Sequence, residues 1–248
     1  MIYVKSRSQI DRMKKANLIV RDTLDLLMTH AKEGVSTWQL DQMAYEFIVK
    51  HGATPSFLHY HGFPASICVS IDEQVVHGIP SKKRLLQEGE IVSFDVGAIL
   101  DGWHGDAART VGIGRVSPEK QRLMEVTEQC FFEGIKVFDT DHRLGDIGHA
   151  IQTHAEQNGY GVVRALVGHG IGRELHEDPE VPNFGHAGRG IRLAVGMVLA
   201  IEPMITLGDY EVNFGEDGWT VTTCDKLSAS HYENTVALTE NGIEILSL

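Results

Sequence analysis

The segment Leu86-x-x-Gly89-x-Ile91-x-x-x-Asp95 has the spacing of Leu193-x-x-Gly196-x-Val198-x-x-x-Glu202, and this internal repetition constrains the fold more than any other feature of the chain. His77-Gly78-Ile79 is echoed in the same way by His169-Gly170-Ile171. The flanking elements repeat as well. Ser6 with Gln9 has capping-box spacing and opens a helix carrying Ile10, Met13, Val20, Leu24 and Leu27 until Gly34. Ser36 with Gln39 opens a shorter one carrying Leu40, Met43, Phe47 and Ile48, stopped at His51-Gly52. In the second half, Ser117-Pro118 starts a long helix to about Val137, and a shorter one runs from about Leu144 to Asn158-Gly159. Each pair is followed by β-branched, strand-like segments. A chain duplicated in this way brings two apolar strands, each ending at a carboxylate, to a pseudo-twofold axis, a geometry suited to a pair of metal ions.

No Pro-, Gly- or Ser-rich linker separates the halves, about 1–115 and 116–248, so the whole of 1–248 reads as one domain. Hairpin-length connections between strands favour an antiparallel sheet covered by helices on one face, the α+β class. At 248 residues and 42% hydrophobic content the chain has ample material for a core. Its net charge of -12 argues against general affinity for nucleic acid or anionic membranes and favours cationic substrates. Cys68, Cys130 and Cys224 are odd in number and form no CxxC pair, so neither a disulfide framework nor a thiolate metal site is expected. With no signal-peptide pattern and no apolar run of membrane-spanning length, the expected location is the cytoplasm.

Ile91–Leu100 reads as a strand, Asp101-Gly102 as the turn that reverses it, and a second strand as starting near Asp106. Asp95 and Asp106 then face each other across a hairpin. Facing carboxylates repel unless a proton or a cation sits between them, which leaves an acid–base dyad or a metal site. His169 between two glycines, Glu202 before Pro203, and Glu233 after His231-Tyr232 tip the choice to metal. Taken singly, such residues are turn, cap, loop or solvated positions. Together, four carboxylates and one imidazole balance two divalent ions, of the Mn²⁺, Fe²⁺, Co²⁺ or Zn²⁺ type.

At this point the chain resembles the methionine aminopeptidases along essentially its whole length. The matching motifs are His77-Gly-Ile-Pro80, Ser93-Phe-Asp95-Val-Gly, Gly102-Trp-His-Gly-Asp106, Gly168-His169-Gly-Ile-Gly172, His176-Glu-Asp-Pro179, Ile201-Glu202-Pro203 and Tyr232-Glu233-Asn-Thr-Val236. The resemblance implies the pita-bread fold, with Asp95, Asp106, His169, Glu202 and Glu233 as ligands of two divalent ions. It implies further that a water acidified by those ions attacks the first peptide bond and that Glu202 takes its proton. His176 then stabilises the oxyanion and His77 contacts the scissile nitrogen. By similarity Tyr60, Phe63, Cys68 and Trp219 wall the methionine pocket, with Phe57 and Leu175 beside them. Phe57, Leu175 and Gly97 depart from residues common in the family at those positions, which leaves the pocket's shape open.

A helix starting almost at Met1 and a short interval between Glu202 and Glu233 resemble the compact bacterial type I enzymes. The alternatives are a proline-specific peptidase of the same fold, whose members usually carry a separate N-terminal domain, and a non-catalytic binding protein, which would lack some ligands. The expected partners are nascent polypeptide N-termini with small second residues, without direct nucleic-acid recognition. Ribosome docking would fit such substrates, although the acidic 208–217 segment offers no cationic surface for RNA. A monomer is expected.

Overall fold

The computed structural model describes residues 2–248. Its first helix, α1, is Arg7–His30, with the Ser6 N–H bonded to Gln9 Oε1 at 2.8 Å. The expected start almost at Met1 reaches outside the described residues, and the helix ends at His30, before the Gly34 stop signal, because Ala31 is already extended (ψ 94°). The other helices are α2, Thr37–Lys50, α3, Pro118–Ile135, and α4, Leu144–Gln157. All are amphipathic, and Ile10, Met13, Val20, Leu24 and Leu27 of α1 are all buried as their spacing requires.

A nine-stranded sheet forms the centre of the chain. Its path runs Thr54–Pro55, Ile91–Leu100, Trp103–Gly112, Glu233–Thr239, Val198–Ile201, Gly168–Gly170 and Glu177–Val181, with Cys68–Ile71 on Ile91–Leu100 and Gly242–Ile245 on Glu233–Thr239. Every pairing in it is antiparallel. Strand parity then separates two faces. Val92, Phe94, Val96, Ala98 and Ala107 pack on α1 and α2, while Leu199, Ile201, Val236 and Leu238 pack on α3 and α4. The helices therefore cover one face, as the strand pattern suggests. The opposite face carries Ser93, Asp95, Gly97, Asp106, Ala108, Ala200, Glu233 and Thr235.

A few backbone contacts recur at equivalent places in the two repeated segments. Gly89 N–H donates to Ile113 O at 2.8 Å and Ile113 N–H to Glu90 O at 2.8 Å, while Gly196 N–H donates to Leu238 O at 2.8 Å and Leu238 N–H to Met197 O at 2.9 Å. Ser36 at the start of α2 bridges Leu85, and Arg143 at the start of α4 bridges Arg192. Two details differ from the sequence expectation. The second hairpin strand starts at Trp103, directly after the Asp101-Gly102 turn, and not near Asp106. Asp95 lies in mid-strand, whereas the strand before Glu202 does end, because Pro203 has no N–H to extend the ladder. Among the described residues no helix is long and apolar enough to cross a membrane, and all three cysteines are free.

Candidate metal centre

Register places the candidate ligands in two rows across the sheet. In one row Ala108 stands between Asp95 and Glu233, paired with each. In the other, Asp106 pairs with Gly97, and Ala200 stands between Thr235 and His169. Thr235 ties the second row together, donating from Oγ1 to Asp106 O at 2.8 Å and accepting from Asp106 N–H at 3.1 Å. Asp95 and Asp106 are thus diagonal neighbours rather than directly opposed. The methyl side chains of Ala108 and Ala200 leave the space between the larger polar groups open.

The geometry inside that space suits a cation. One donor atom each from Asp106, His169 and Glu233 lie within 4.8 Å of one another. His169 Nε2 is 3.8 Å from Asp106 Oδ2 and 3.7 Å from Glu202 Oε1. Two ligands sharing an ion at about 2.0–2.2 Å each sit no more than roughly 4.4 Å apart, so the His169 separations of 3.8 and 3.7 Å fit. Gly170 O accepts a hydrogen bond from His169 Nδ1–H at 2.9 Å, leaving the Nε2 lone pair aimed into the cluster. Gly168 and Gly170 are required beside it, since a Cβ at either would strike the backbone oxygens of Ala200 and Asp178.

Electrostatics says the same. Burial, opposed by the Asp106 hydrogen bond, pushes Asp95 up to about 7. Burial and then neighbouring carboxylates hold Asp106, Glu202 and Glu233 well above the usual range. Asp95 Oδ1, Asp106 Oδ1 and Glu233 Oε1 are buried without a hydrogen-bond partner. Orphaned acceptor oxygens crowded in a buried site are stable only with protons or cations among them.

This cluster floors a cavity of about 300 Å³ that also receives His77, His176, Phe57, Tyr60, Phe63, Cys68, Leu175 and Trp219, so every candidate site residue meets there. Cys68 pairs directly with Asp95 across two strands, which joins the apolar end of the cavity to the carboxylates. Phe63 and Trp219 meet edge to face at 5.1 Å. Tyr60 Oη lies 2.9 Å from His176 Nδ1, and the His176 ring meets His169 edge-on at 4.3 Å. Burial lowers His77 to about 4 and His169 to about 3, and both are neutral at pH 7.

The sequence model of metallopeptidase family M24 matches residues 11–240. The chain belongs to family M24. It is 54% identical to the methionine aminopeptidase of Clostridium perfringens over all of this chain and 99% of that one. It is 47% identical to methionine aminopeptidase 1 of Bacillus subtilis, again over 100% and 99%. The crystal structure of methionine aminopeptidase from Rickettsia prowazekii superposes with a TM-score of 0.98 at 42% identity, covering 100% of both chains. This M24 chain therefore has the pita-bread fold. A prolidase from Pyrococcus furiosus shares that fold at a TM-score of 0.79 and 21% identity, this chain covering 65% of it.

Two features of the M24 site escaped the sequence reading. His231 is 1% exposed with Nε2 pointing at Glu202 and Glu233. It ends the Ala229–His231 strand, one residue before the strand that begins at Glu233. His61, Val76, Leu166 and Met204 also line the cavity, and His61 and His77 hold left-handed backbone (φ 49° and 60°). A third feature explains a family departure. A Cβ on Gly97 would lie 2.7 Å from Phe57 Cε1 and 2.9 Å from Ser56 Cβ, so the Phe57 ring fills the space that residue 97 vacates. Gly97→Ala is expected to cost about 1–3 kcal/mol in urea unfolding. Phe57→Ala in the same chain should recover part of that loss, and strictly additive losses would contradict the shared space.

Proposed function

We infer that this M24 chain is a methionine aminopeptidase that removes the N-terminal methionine from nascent chains, preferentially before a small second residue. The observation that carries it is the full-length 54% identity to a methionine aminopeptidase, together with five donor side chains gathered on one sheet face. In this reading Asp95, Asp106, His169, Glu202 and Glu233 hold two divalent ions, of the Mn, Fe, Co or Zn type. When bound, such ions acidify a water, polarise the scissile carbonyl and receive the free α-amine.

The chain's own residues do the rest. Glu202, with a side chain 13% exposed against 5% for Asp106 and 2% for Glu233, is the most open of these three carboxylates and accepts the proton that passes to the leaving amine. The Tyr60 hydroxyl donates to His176 Nδ1, which leaves His176 Nε2–H free to donate to the developing oxyanion. His77 contacts the scissile nitrogen. Phe57, Tyr60, Phe63, Cys68, Leu175 and Trp219 give the methionine side chain an apolar, polarisable wall. Burial raises the Cys68 thiol well above its ordinary range and keeps it uncharged in that wall.

Three free cysteines fit a reducing compartment, and the reading places the enzyme in the cytoplasm as a monomer acting on chains at or leaving the ribosome. The proline-specific reading is not favoured, because the likeness to prolidase lies in fold alone. The test is a peptide assay on chelated protein, titrated with individual divalent ions and read on Met-Ala-Ser, Met-Leu-Ser and Leu-Ala-Ser. Metal-dependent release of Met from the first, and far less from the others, is expected. Cleavage without added metal, or equal release of Leu, would refute it.

A further inference from the structure

We propose that His231 is a positioning residue of this centre, donating its Nε2–H to the Glu202 and Glu233 carboxylates so that their remaining oxygens are presented to cations. The inference rests on the metal-centre reading above. His231 sits on the cavity-side face, on the Ala229–His231 strand, paired with Met204. Thr110 clamps its backbone, accepting from His231 N–H at 3.0 Å and donating to His231 O at 2.8 Å, and Thr110 is bonded in turn to Ser93 Oγ at 2.8 Å. The ring is therefore fixed from the same sheet face that carries Asp95 and Asp106.

Nε2 of this ring is buried, lacks a hydrogen-bond partner, and stands 3.7 Å from Glu202 Oε2 and 4.0 Å from Glu233 Oε2. Glu202 consequently lies between two imidazoles, with Oε1 facing His169 and Oε2 facing His231. The two rings have opposite roles. His169 donates a hydrogen bond from Nδ1–H to Gly170 O and points a lone pair inward. His231 points at two carboxyl oxygens, where, once these are ionised beside a cation, a lone pair would be repelled and an N–H attracted, which favours the proton on Nε2. At 3.7 Å the contact is Coulombic, and a shift of about 1 Å in the nearer carboxylate brings it into hydrogen-bond range. Groups of this kind, one step behind the ligands, set ligand orientation and typically change metal affinity about 10–100-fold.

The test is calorimetric Mn²⁺ titration of chelated wild type, His231→Leu and His231→Gln, with melting curves of the chelated proteins. His231→Leu should weaken binding about 10–100-fold without lowering the chelated melting temperature, because the lost group is an unpaired buried donor. His231→Gln keeps an N–H donor of similar reach and should stay within about threefold of wild type. Unchanged Mn²⁺ affinity in His231→Leu overturns the proposal, and so does an equal loss in His231→Gln, which would make the imidazole itself a ligand. Should the leucine variant not fold, ¹⁵N NMR of the Zn²⁺-loaded wild type decides: a protonated Nε2 on His231 supports the role, and a metal-bound or unprotonated Nε2 overturns it. A wild type that binds no divalent ion overturns the metal-centre reading beneath it.

Discussion

Replacing Asp106 with Asn is expected to reduce kcat/KM by roughly 10³-fold or more while raising the melting temperature of the chelated protein. The loss follows from position. Asp106 is 3% exposed, belongs to the tight trio with His169 and Glu233, and sits diagonally from Asp95, so no other side chain can take its place between them. Changing a residue behind the ligands already costs 10–100-fold, and removing a ligand also removes the charge that holds the ion. The gain in stability has a separate cause. Burial first, then Asp95 and Glu202, hold the Asp106 carboxyl well above its ordinary range, which marks it as a destabilising charge when no cation is bound. Asn has the same shape without that charge. A chelated Asp106→Asn protein that melts lower than wild type would contradict the repulsion, and retained activity would contradict the centre.

The second large effect is a reversal of the usual pH dependence in chelated protein. Burial pushes Asp95 up to about 7 in the fold against an ordinary value of 3.8, and burial with neighbouring carboxylates holds Asp106, Glu202 and Glu233 well above theirs. The folded chain therefore binds more protons than the unfolded chain, and the stabilisation from these groups is complete below their ordinary values and lost as pH rises through the raised ones. His77, His104, His169, His176 and His231 act in the opposite sense, since burial lowers each below the ordinary 6.5. Above about pH 7.5 those imidazoles are neutral in both states, and the carboxylates dominate the slope. From pH 7.5 to 8.5 the melting temperature of chelated protein should fall by roughly 5 °C. The increment from added Mn²⁺ should grow over the same interval, because ions replace the protons being lost. Calorimetric melts at matched ionic strength check both, and a flat or rising chelated curve would remove the clustered-carboxylate account.

How much of this was legible without coordinates varies by residue. The helices were legible because capping pairs and apolar spacing act over a few residues, as Ser36 with Gln39 and the Gly52 stop illustrate. The α1 terminus was not, since Ala31 leaves helical geometry three residues before the glycine that signals it. Asp95 and Glu202 were legible through the repeat, and Asp106, His169 and Glu233 through hairpin placement, flanking residues and the family motifs, but that all five meet at one cavity needed the coordinates. His231 lay in plain view two residues before Glu233, yet nothing local shows that its ring nitrogen ends 3.7 Å from Glu202.

What the sequence determined alone was local: which residues form helices and strands, which face of each strand is polar, and that the two halves share one plan. What tertiary structure decided was register, namely that Ala108 lies between Asp95 and Glu233, that Ala200 lies between Thr235 and His169, and that Phe57 fills the space above Gly97. The reason is range. Propensity and periodicity act along a few bonds of chain, whereas pairing strands some hundred residues apart depends on the packing of the whole core, and shifting any pairing by one residue would turn its carboxylate to the helix side.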